Sequence, residues 1–171
     1  MPTKEHAITM ARYNAWQNES LFSAADQLSA DEREKERGAF FGSIHQTASH
    51  LLWGDSFWMS RFAGTPAPGG SVKESMAFAP VWDDLRTRRK ALDKTILRWA
   101  HDVPTDWFEG ELCWHSAVAG GEVCKPRKIL ATHFFNHQTH HRGQMHAMLT
   151  AAGAVTEDTD LLFMPESFAS L

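Results

Sequence analysis

Four long segments that favour helix constrain this chain more than any other feature of its sequence. The first runs from about residue 3 to 28 and contains neither glycine nor proline, which suits a continuous helix. The other three cover residues 43 to 61 or 63, 80 to 101, and 126 to 153. The last holds roughly 27 residues, or about 40 Å at a rise of 1.5 Å per residue.

Between these segments the sequence is typical of turns. A capping pattern at residues 29–33 predicts a short charged helix or turn, and Gly64-Thr-Pro-Ala-Pro-Gly-Gly predicts a loop. Residues 107–115 nearly alternate between polar and apolar and are followed by Gly120-Gly121, which predicts a hairpin. We therefore expect an all-α fold, a four-helix bundle with a short β-hairpin between the third and fourth long helices.

The sequence determines only in part how the helices of that bundle are connected. The length favours one domain over residues 1–171. Short connections would give an up-down-up-down bundle, whereas the hairpin and the long 64–79 loop leave room for a crossover. The third segment has an apolar face that runs from Leu85 to Trp99 at helical spacing and is expected to be buried. Its other face is expected to be solvated and carries Arg86, Arg88, Arg89 and Lys90.

The charge balance and the N-terminal sequence exclude several classes of protein. The 21 acidic and 17 basic side chains give a formal charge of −4, which does not favour nucleic acid as a partner. No apolar run approaches the roughly 18 residues that cross a bilayer, and residues 1–10 lack the pattern of a signal peptide. We therefore expect no membrane partner and a cytoplasmic protein. In that compartment Cys113 and Cys124 are expected as free thiols, although a hairpin would place them on facing arms and leaves a reactive pair as the alternative.

The chain has ten histidines, and five of them fall between His133 and His146. On the fourth long helix His137 and His141 are one turn apart and flank the centre of the apolar face. Burying two imidazoles there without partners costs roughly 1–3 kcal/mol each. The pair is therefore either two hydrogen-bonded core histidines or two ligands of an ion such as Zn, Ni, Fe or Cu. His133 and His140 border that face, and His146 lies opposite, where it is expected to be exposed.

A metal site built on this pair needs a third ligand from another helix. The second segment offers His45 and His50, which both flank its apolar sector, so helical phase does not choose between them. The chain contains no His-Glu-x-x-His and no Glu-x-x-His, which argues against the zinc-protease helix and the di-iron carboxylate bundle. The predicted site has only histidine ligands, holds one ion and is open to solvent.

Three stretches together resemble the DinB/YfiT-like family. They are Tyr13-Asn-Ala-Trp-Gln-Asn in the first helix, Ser43-Ile-His-Gln-Thr-Ala-Ser-His50-Leu-Leu-Trp-Gly-Asp55 in the second, and Asn136-His137-Gln-Thr-His140-His141-Arg-Gly-Gln144 in the fourth. The acidic tail with Asp160 and Pro165 also fits. The resemblance implies a four-helix bundle, often dimeric, with a divalent metal ion held by His50, His137 and His141.

The resemblance also implies a function in broad terms. The family includes metal-dependent hydrolase-like proteins and thiol-dependent transferases, so we expect a divalent ion (Zn, Ni, Fe or Mn) that activates water or a small thiol for reaction with a small-molecule substrate. A non-catalytic bundle that binds metal or a ligand, such as a stress-related binding protein, is the alternative. Helical spacing assigns no catalytic acid, base or nucleophile.

The residues around the predicted ligands are harder to assign. Gln144, one turn beyond His141, is a candidate for orienting a ligand or binding substrate. The equally weighted alternative is that Gln144 is only a polar residue at the edge of the core. Arg142 points away from the predicted site and fits an interface or a salt bridge, while Asp55 is not assigned to the metal. Trp53 and Phe57 lie off the main apolar sector of their helix and predict a homodimer surface, unless the tail or the first helix covers them.

Overall fold

The computed structural model describes residues 2–116 and 119–171, and these are mostly helical. The long helices are Lys4–Asp26 (α1), Ile44–Phe62 (α3), Trp82–Asp102 (α4) and Arg127–Ala151 (α5). The short helices are Ala30–Glu34 (α2) and Glu166–Ala169 (α6), and 3-10 turns occupy Ser75–Ala77, Thr105–Glu109 and Leu161–Phe163. The expected all-α bundle with a hairpin is confirmed. No helix in the described ranges is long and apolar enough to cross a membrane.

Local signals account for the ends of the long helices. The Thr3 side chain accepts a hydrogen bond from the backbone N–H of His6 at 3.3 Å, and Ser43 accepts one from Gln46 at 3.1 Å, so both cap a helix start. At the end of α5, Gly153 adopts a φ of 81°, a conformation that residues with a side chain rarely adopt. With these caps, the observed ends of the long helices lie within a few residues of the predicted ends.

Two apolar clusters at opposite ends of the bundle define the helix directions. One cluster joins the starts of α1 and α5 to the ends of α3 and α4, and includes Ala7, Leu130, Met59 and Trp99. The other joins the ends of α1 and α5 to the starts of α3 and α4, and includes Leu21, Leu149, Ile44 and Leu85. Helices α1 and α5 therefore run one way and α3 and α4 the other, in an up-down-down-up order. The segment 63–81 is the crossover that the sequence left open.

The packing of the helices decides which faces meet. Helix α1 packs against α4 and α5, and α3 packs against the same two helices. The first and second long helices therefore lie diagonally across the bundle, and α3 shares one of its faces with α5. That shared face brings the histidines of both helices together.

A layer of buried charge separates the two apolar clusters. Arg89 is only 2% exposed, and its guanidinium pairs with Asp55 at 2.7 Å and with Asp93 at 2.8 Å. Asp93 also accepts hydrogen bonds from Asn14 and Asn18 of α1. The prediction that Arg89 belongs to a solvated face is therefore wrong, because α3 and α4 supply the counter-charges that a single-helix pattern does not show. We call Asn14, Asn18, Asp55, Arg89, Asp93 and Arg142 the charge layer.

The hairpin joins α4 to α5 and carries both cysteines. Strands Glu111–Ser116 (β1) and Gly121–Pro126 (β2) pair antiparallel, with Cys113 directly opposite Cys124. Their Cα atoms are 4.0 Å apart, and the two sulfurs form a disulfide. The expectation of free thiols is wrong in this structure, because the register of the hairpin places the side chains face to face.

Candidate metal centre

Helices α3 and α5 bring His50, His137 and His141 into one cluster, which we call the histidine cluster. A ring nitrogen from each of the three lies within 4.8 Å of the others. His50 is 4% exposed and His141 is 7% exposed, while His137 is partly buried. The three residues predicted as ligands therefore converge, on a site whose donor atoms are all imidazole nitrogens.

The rings of His50 and His141 are held by neighbouring oxygen atoms. Nδ1 of His50 lies 2.8 Å from the Ser75 hydroxyl, which itself donates to the Val72 carbonyl. Nδ1 of His141 lies 2.8 Å from the side-chain oxygen of Gln144. Both oxygens therefore accept a hydrogen bond from Nδ1–H, which leaves Nε2 of each ring with a free lone pair. The structure thus places Gln144 in the orienting position considered for it.

The facing nitrogens of His50 and His137 are spaced as two ligands of one metal ion would be. Their Nε2 atoms are 3.2 Å apart, and two imidazole nitrogens on one tetrahedral zinc at 2.0–2.1 Å would be about 3.3 Å apart. Among the residues that the structure describes, none hydrogen-bonds the buried Nδ1 of His137. Because no described residue fixes the proton of His137, the tautomer with that proton on Nδ1 presents the Nε2 lone pairs of both rings to one point, so the donor set fits a divalent metal ion.

Burial keeps these imidazoles neutral. Desolvation, with a smaller effect of His141, lowers the pKa of His50 to about 4. Desolvation and the neighbouring imidazoles lower the pKa of His137 to about 3, and burial also lowers the pKa of His141. At neutral pH all three rings are therefore in the neutral form, in which one ring nitrogen carries no proton and is able to bind a metal ion.

A glycine in α3 makes room for His137. A Cβ atom built on Gly54 would lie 2.9 Å from Cε1 of that ring, closer than carbon atoms pack. By helix propensity alone, Gly54 only mildly destabilises α3. The structure shows that the missing side chain lets the imidazole lie against the helix backbone. The signal in the sequence was the glycine one turn after His50.

The cluster opens into a cavity of about 870 Å³ with aromatic walls. Phe41 stacks on the His50 ring at 3.8 Å between centroids, and Trp53, Phe57, Trp58 and Trp114 form much of the remaining wall. Trp53 is buried and donates a hydrogen bond to the Gly69 carbonyl in the crossover. Trp53 and Phe57, from which a subunit interface was predicted, therefore line the cavity instead.

The other histidines divide by environment. His45 is buried in the core, where one ring nitrogen meets the Ala79 carbonyl at 2.8 Å and the other meets Glu34, so His45 is the hydrogen-bonded core histidine and His50 joins the cluster. His133 and His140 are exposed at the cavity. His146, expected to be exposed, is half-buried because the segment after α5 brings Thr156 to its ring.

Arg142 points away from the histidine cluster, as predicted, and is buried where α5 meets α1. It is 4% exposed, donates to the Asn14 side chain and lies over the Tyr13 ring at 5.4 Å. The face of α5 opposite the cluster is covered by α1, which a wheel of α5 alone does not show. Asp55 lies in the charge layer on Arg89, in agreement with its exclusion from the metal ligands.

Comparisons with known proteins agree with this architecture. A model of the DinB family matches residues 1–168. Protein DinB of Bacillus subtilis (strain 168) is 25% identical over 174 residues, which cover 95% of this chain and 97% of that protein. The crystal structure of a DinB-like protein from Bacillus cereus ATCC 10987 is similar with a TM-score of 0.59 and 20% identity, over 84% of this chain and 90% of that one. At that identity the structural likeness concerns the fold.

Proposed function

The chain belongs to the DinB family, and from this premise we propose that it is a metal-dependent enzyme whose divalent ion is held by His50, His137 and His141. The observation that carries the proposal is the convergence of three neutral imidazoles, with the Nε2 atoms of His50 and His137 3.2 Å apart, the spacing of two ligands on one ion. Three histidine ligands leave a coordination position for water or substrate, which is typical of catalytic sites. Zinc, nickel, iron and manganese are the ions considered.

A divalent ion in this site lowers the pKa of a bound water or thiol and so supplies hydroxide or thiolate at neutral pH. Two residues of the chain orient the imidazole rings for that chemistry. Ser75 and Gln144 hold two of the rings with Nε2 free, and ligands fixed in this way bind metal more tightly. The aromatic walls bury an apolar substrate beside the cluster. We infer hydrolysis or transfer of a small thiol as the reaction class.

A non-catalytic binding role is the second candidate, and one observation favours it. Among the described residues that line the cavity there is no aspartate or glutamate, so a carboxylate general base beside the cluster is not available. The exposed rings of His115, His133 and His140 are the imidazoles outside the cluster that line the cavity and remain for proton transfer.

Metal analysis of protein purified without an affinity tag tests the ligand assignment. We expect about one equivalent of divalent metal per chain in the wild type and less than roughly a tenth in His137→Ala, because a two-histidine remnant holds the ion weakly. His133→Ala is the matched control, since His133 is on the same helix and at the same cavity but outside the cluster. Equal metal content in all three proteins would refute the site.

Activity assays then separate the two candidates. Metal-loaded protein would be assayed for ester hydrolysis and for transfer of low-molecular-weight thiols to electrophiles, with His137→Ala beside it. Turnover that is lost in the variant supports the enzyme. If both screens stay silent while chelation lowers the melting temperature, the binding role replaces it.

We also propose that the protein is a homodimer. In the C-terminal tail the side chains of Leu162 and Phe163 are 77% and 57% exposed in the monomer. Apolar side chains exposed in this way support a surface that a second copy of the chain covers. Light scattering that finds only a species of 19.3 kDa would refute the dimer, and Leu162→Ser should weaken it.

A further inference from the structure

The cavity that opens onto the histidine cluster has the imidazoles of the cluster at one polar place and a cation at another. His115, His133, His140 and Gln144 also line it. Of the other described residues that line it, Arg61 alone carries a permanent charge, and most of the rest are aromatic or small. A cation with no carboxylate among the described lining residues favours an anionic ligand.

The guanidinium of Arg61 is held against the cavity wall. Its Cζ atom lies 3.4 Å from the centre of the Phe57 ring and 5.8 Å from that of Trp114. Nη1 donates to the Phe57 carbonyl at 2.9 Å. The stacked ring and the carbonyl fix the orientation of the guanidinium plane, while its remaining N–H groups pair with no carboxylate of the described residues.

Arg61 differs in its lack of an ion pair from Arg88, an arginine of α4 that also lies over an aromatic ring. Arg88 lies over the Phe78 ring at 4.0 Å and donates to the Phe78 carbonyl, but it also pairs with Asp84 at 3.3 Å. Within residues 2–116 and 119–171, Arg61 forms no such ion pair, and its buried Nε has no hydrogen-bond partner. Planar N–H groups of this kind bind a carboxylate in two parallel hydrogen bonds.

The two polar places are separated by about two turns of α3. The Arg61 side chain folds back to the carbonyl of Phe57, which is seven residues after His50. Seven residues of helix correspond to about 10 Å. A ligand that reaches both places therefore needs an apolar body of that length between its two polar ends.

We propose that Arg61 is an anion-binding subsite, and that the cavity takes small molecules with an aromatic or aliphatic body and a carboxylate about 10 Å from the group at the histidine cluster. The aromatic walls bury the body, and Arg61 binds the carboxylate. The role of the cluster end rests on the proposed function, whereas the anion subsite stands on Arg61 and the cavity alone. Arg61 is thus a specificity residue outside the ligand set.

Calorimetric titration with phenylpentanoate and its neutral amide tests the subsite on the zinc-loaded protein. We expect the acid to bind the wild type more tightly than the amide by a factor on the order of ten, the usual value of a hydrogen-bonded charge. In Arg61→Met this preference should disappear, with the affinity for the amide unchanged. Arg61→Lys should keep part of it. Arg88→Met, the matched stacked arginine outside the cavity, should bind both probes as the wild type does.

The same titration on His137→Ala separates this inference from the proposed function. If Arg61 binds the carboxylate, the preference for the acid persists in that variant even when its metal is lost. Loss of the preference there would show that the carboxylate binds the metal, and would overturn the subsite. Equal binding of acid and amide by the wild type, no binding of either, or an unchanged preference in a folded Arg61→Met would also overturn it.

Discussion

The charge layer and the histidine cluster are two buried polar groups at the same level of the bundle, and both draw on α3 and α5. In the charge layer the Arg89 guanidinium has two carboxylates within 2.8 Å, and Asp93 accepts from two asparagines. In the histidine cluster the Nε2 atoms of His50 and His137 face each other at 3.2 Å, and Nδ1 of His137 has no partner among the described residues.

The difference shows how one fold separates stability from function. Opposite charges that compensate each other inside the protein contribute to specifying its packing, and losing one of them is costly. The neutral imidazoles of the histidine cluster carry lone pairs that converge on one point. The charge layer is therefore compensated by opposite charges of the chain itself, whereas the donor set of the histidine cluster fits an added divalent ion.

Breaking the charge layer should have the largest effect on stability. Arg89→Met leaves Asp55 and Asp93 buried without their counter-charge, which typically costs about 3–5 kcal/mol. Urea unfolding followed by circular dichroism measures the loss. Arg88→Met, on the exposed side of the same helix, should change the free energy of unfolding by less than about 0.5 kcal/mol. Similar small losses in both variants would contradict the comparison.

Filling the histidine cluster should stabilise the wild type by a smaller amount. A metal ion at 100 times its dissociation constant adds about 2.7 kcal/mol to the free energy of unfolding. His137→Ala should lose this gain, because only two cluster ligands remain. The measurement is the melting temperature with and without zinc, and then with a chelator. A metal-induced rise of equal size in the variant would refute the assignment.

The pH dependence of the free energy of unfolding should report the titration of Asp93 in the charge layer. Burial is the main cause that raises the pKa of Asp93 from 3.8 to about 6, so between these values the folded state binds more protons than the unfolded state. Asp93 therefore makes stability fall as pH rises through this window, by at most about 1.4 kcal/mol per pH unit. Asp93→Asn removes the titration while keeping an acceptor for Asn14 and Asn18.

The measurement is the free energy of unfolding of both proteins between pH 4 and 6.5. Relative to Asp93→Asn, the wild type should be most stable at the acid end of the window and lose that advantage towards its upper end. A difference that stays constant or grows with pH would show that Asp93 is ionised throughout in the folded protein.

Gly54→Ala should affect the histidine cluster while sparing the fold. The new methyl group would force the His137 ring to move, and we expect metal affinity to fall about tenfold, the lower range for displaced ligand support. The stability of the metal-free protein should not fall, since alanine favours helix over glycine by about 1 kcal/mol. Gly143→Ala is the matched control, because no atom lies within 4 Å of its added Cβ. Equal metal affinity in both variants would contradict the role of Gly54.

Much of the fold was predictable because its signals are local. Ser43 caps α3 and Gly153 ends α5 as the sequence indicates, since caps act within a few residues. His137 and His141 were found by helical phase alone, while His50 was distinguished from His45 only by the family resemblance. The structure confirms the fold and brings the three histidines together.

The residues that sequence reasoning missed act through contacts between distant segments. Ser75 reaches His50 from the crossover, and no periodicity marks a residue in a loop. Arg61 had a weak signal, an arginine one turn after the aromatic pair Phe57 and Trp58, with no acid beside it on the helix. That pattern becomes informative only when the cavity shows which way the side chain points.

The sequence by itself determined the helices, the hairpin and the apolar face that carries the histidine pair, because these depend on hydrogen bonds and spacing within one segment. Tertiary structure decided the crossover, the burial of Arg89 and Arg142, the disulfide, and the choice between a solvated and a paired charge. Each of these depends on which helix or strand lies opposite. The free energy of a buried polar group is set by its partner across the contact, which a pattern along one segment does not contain.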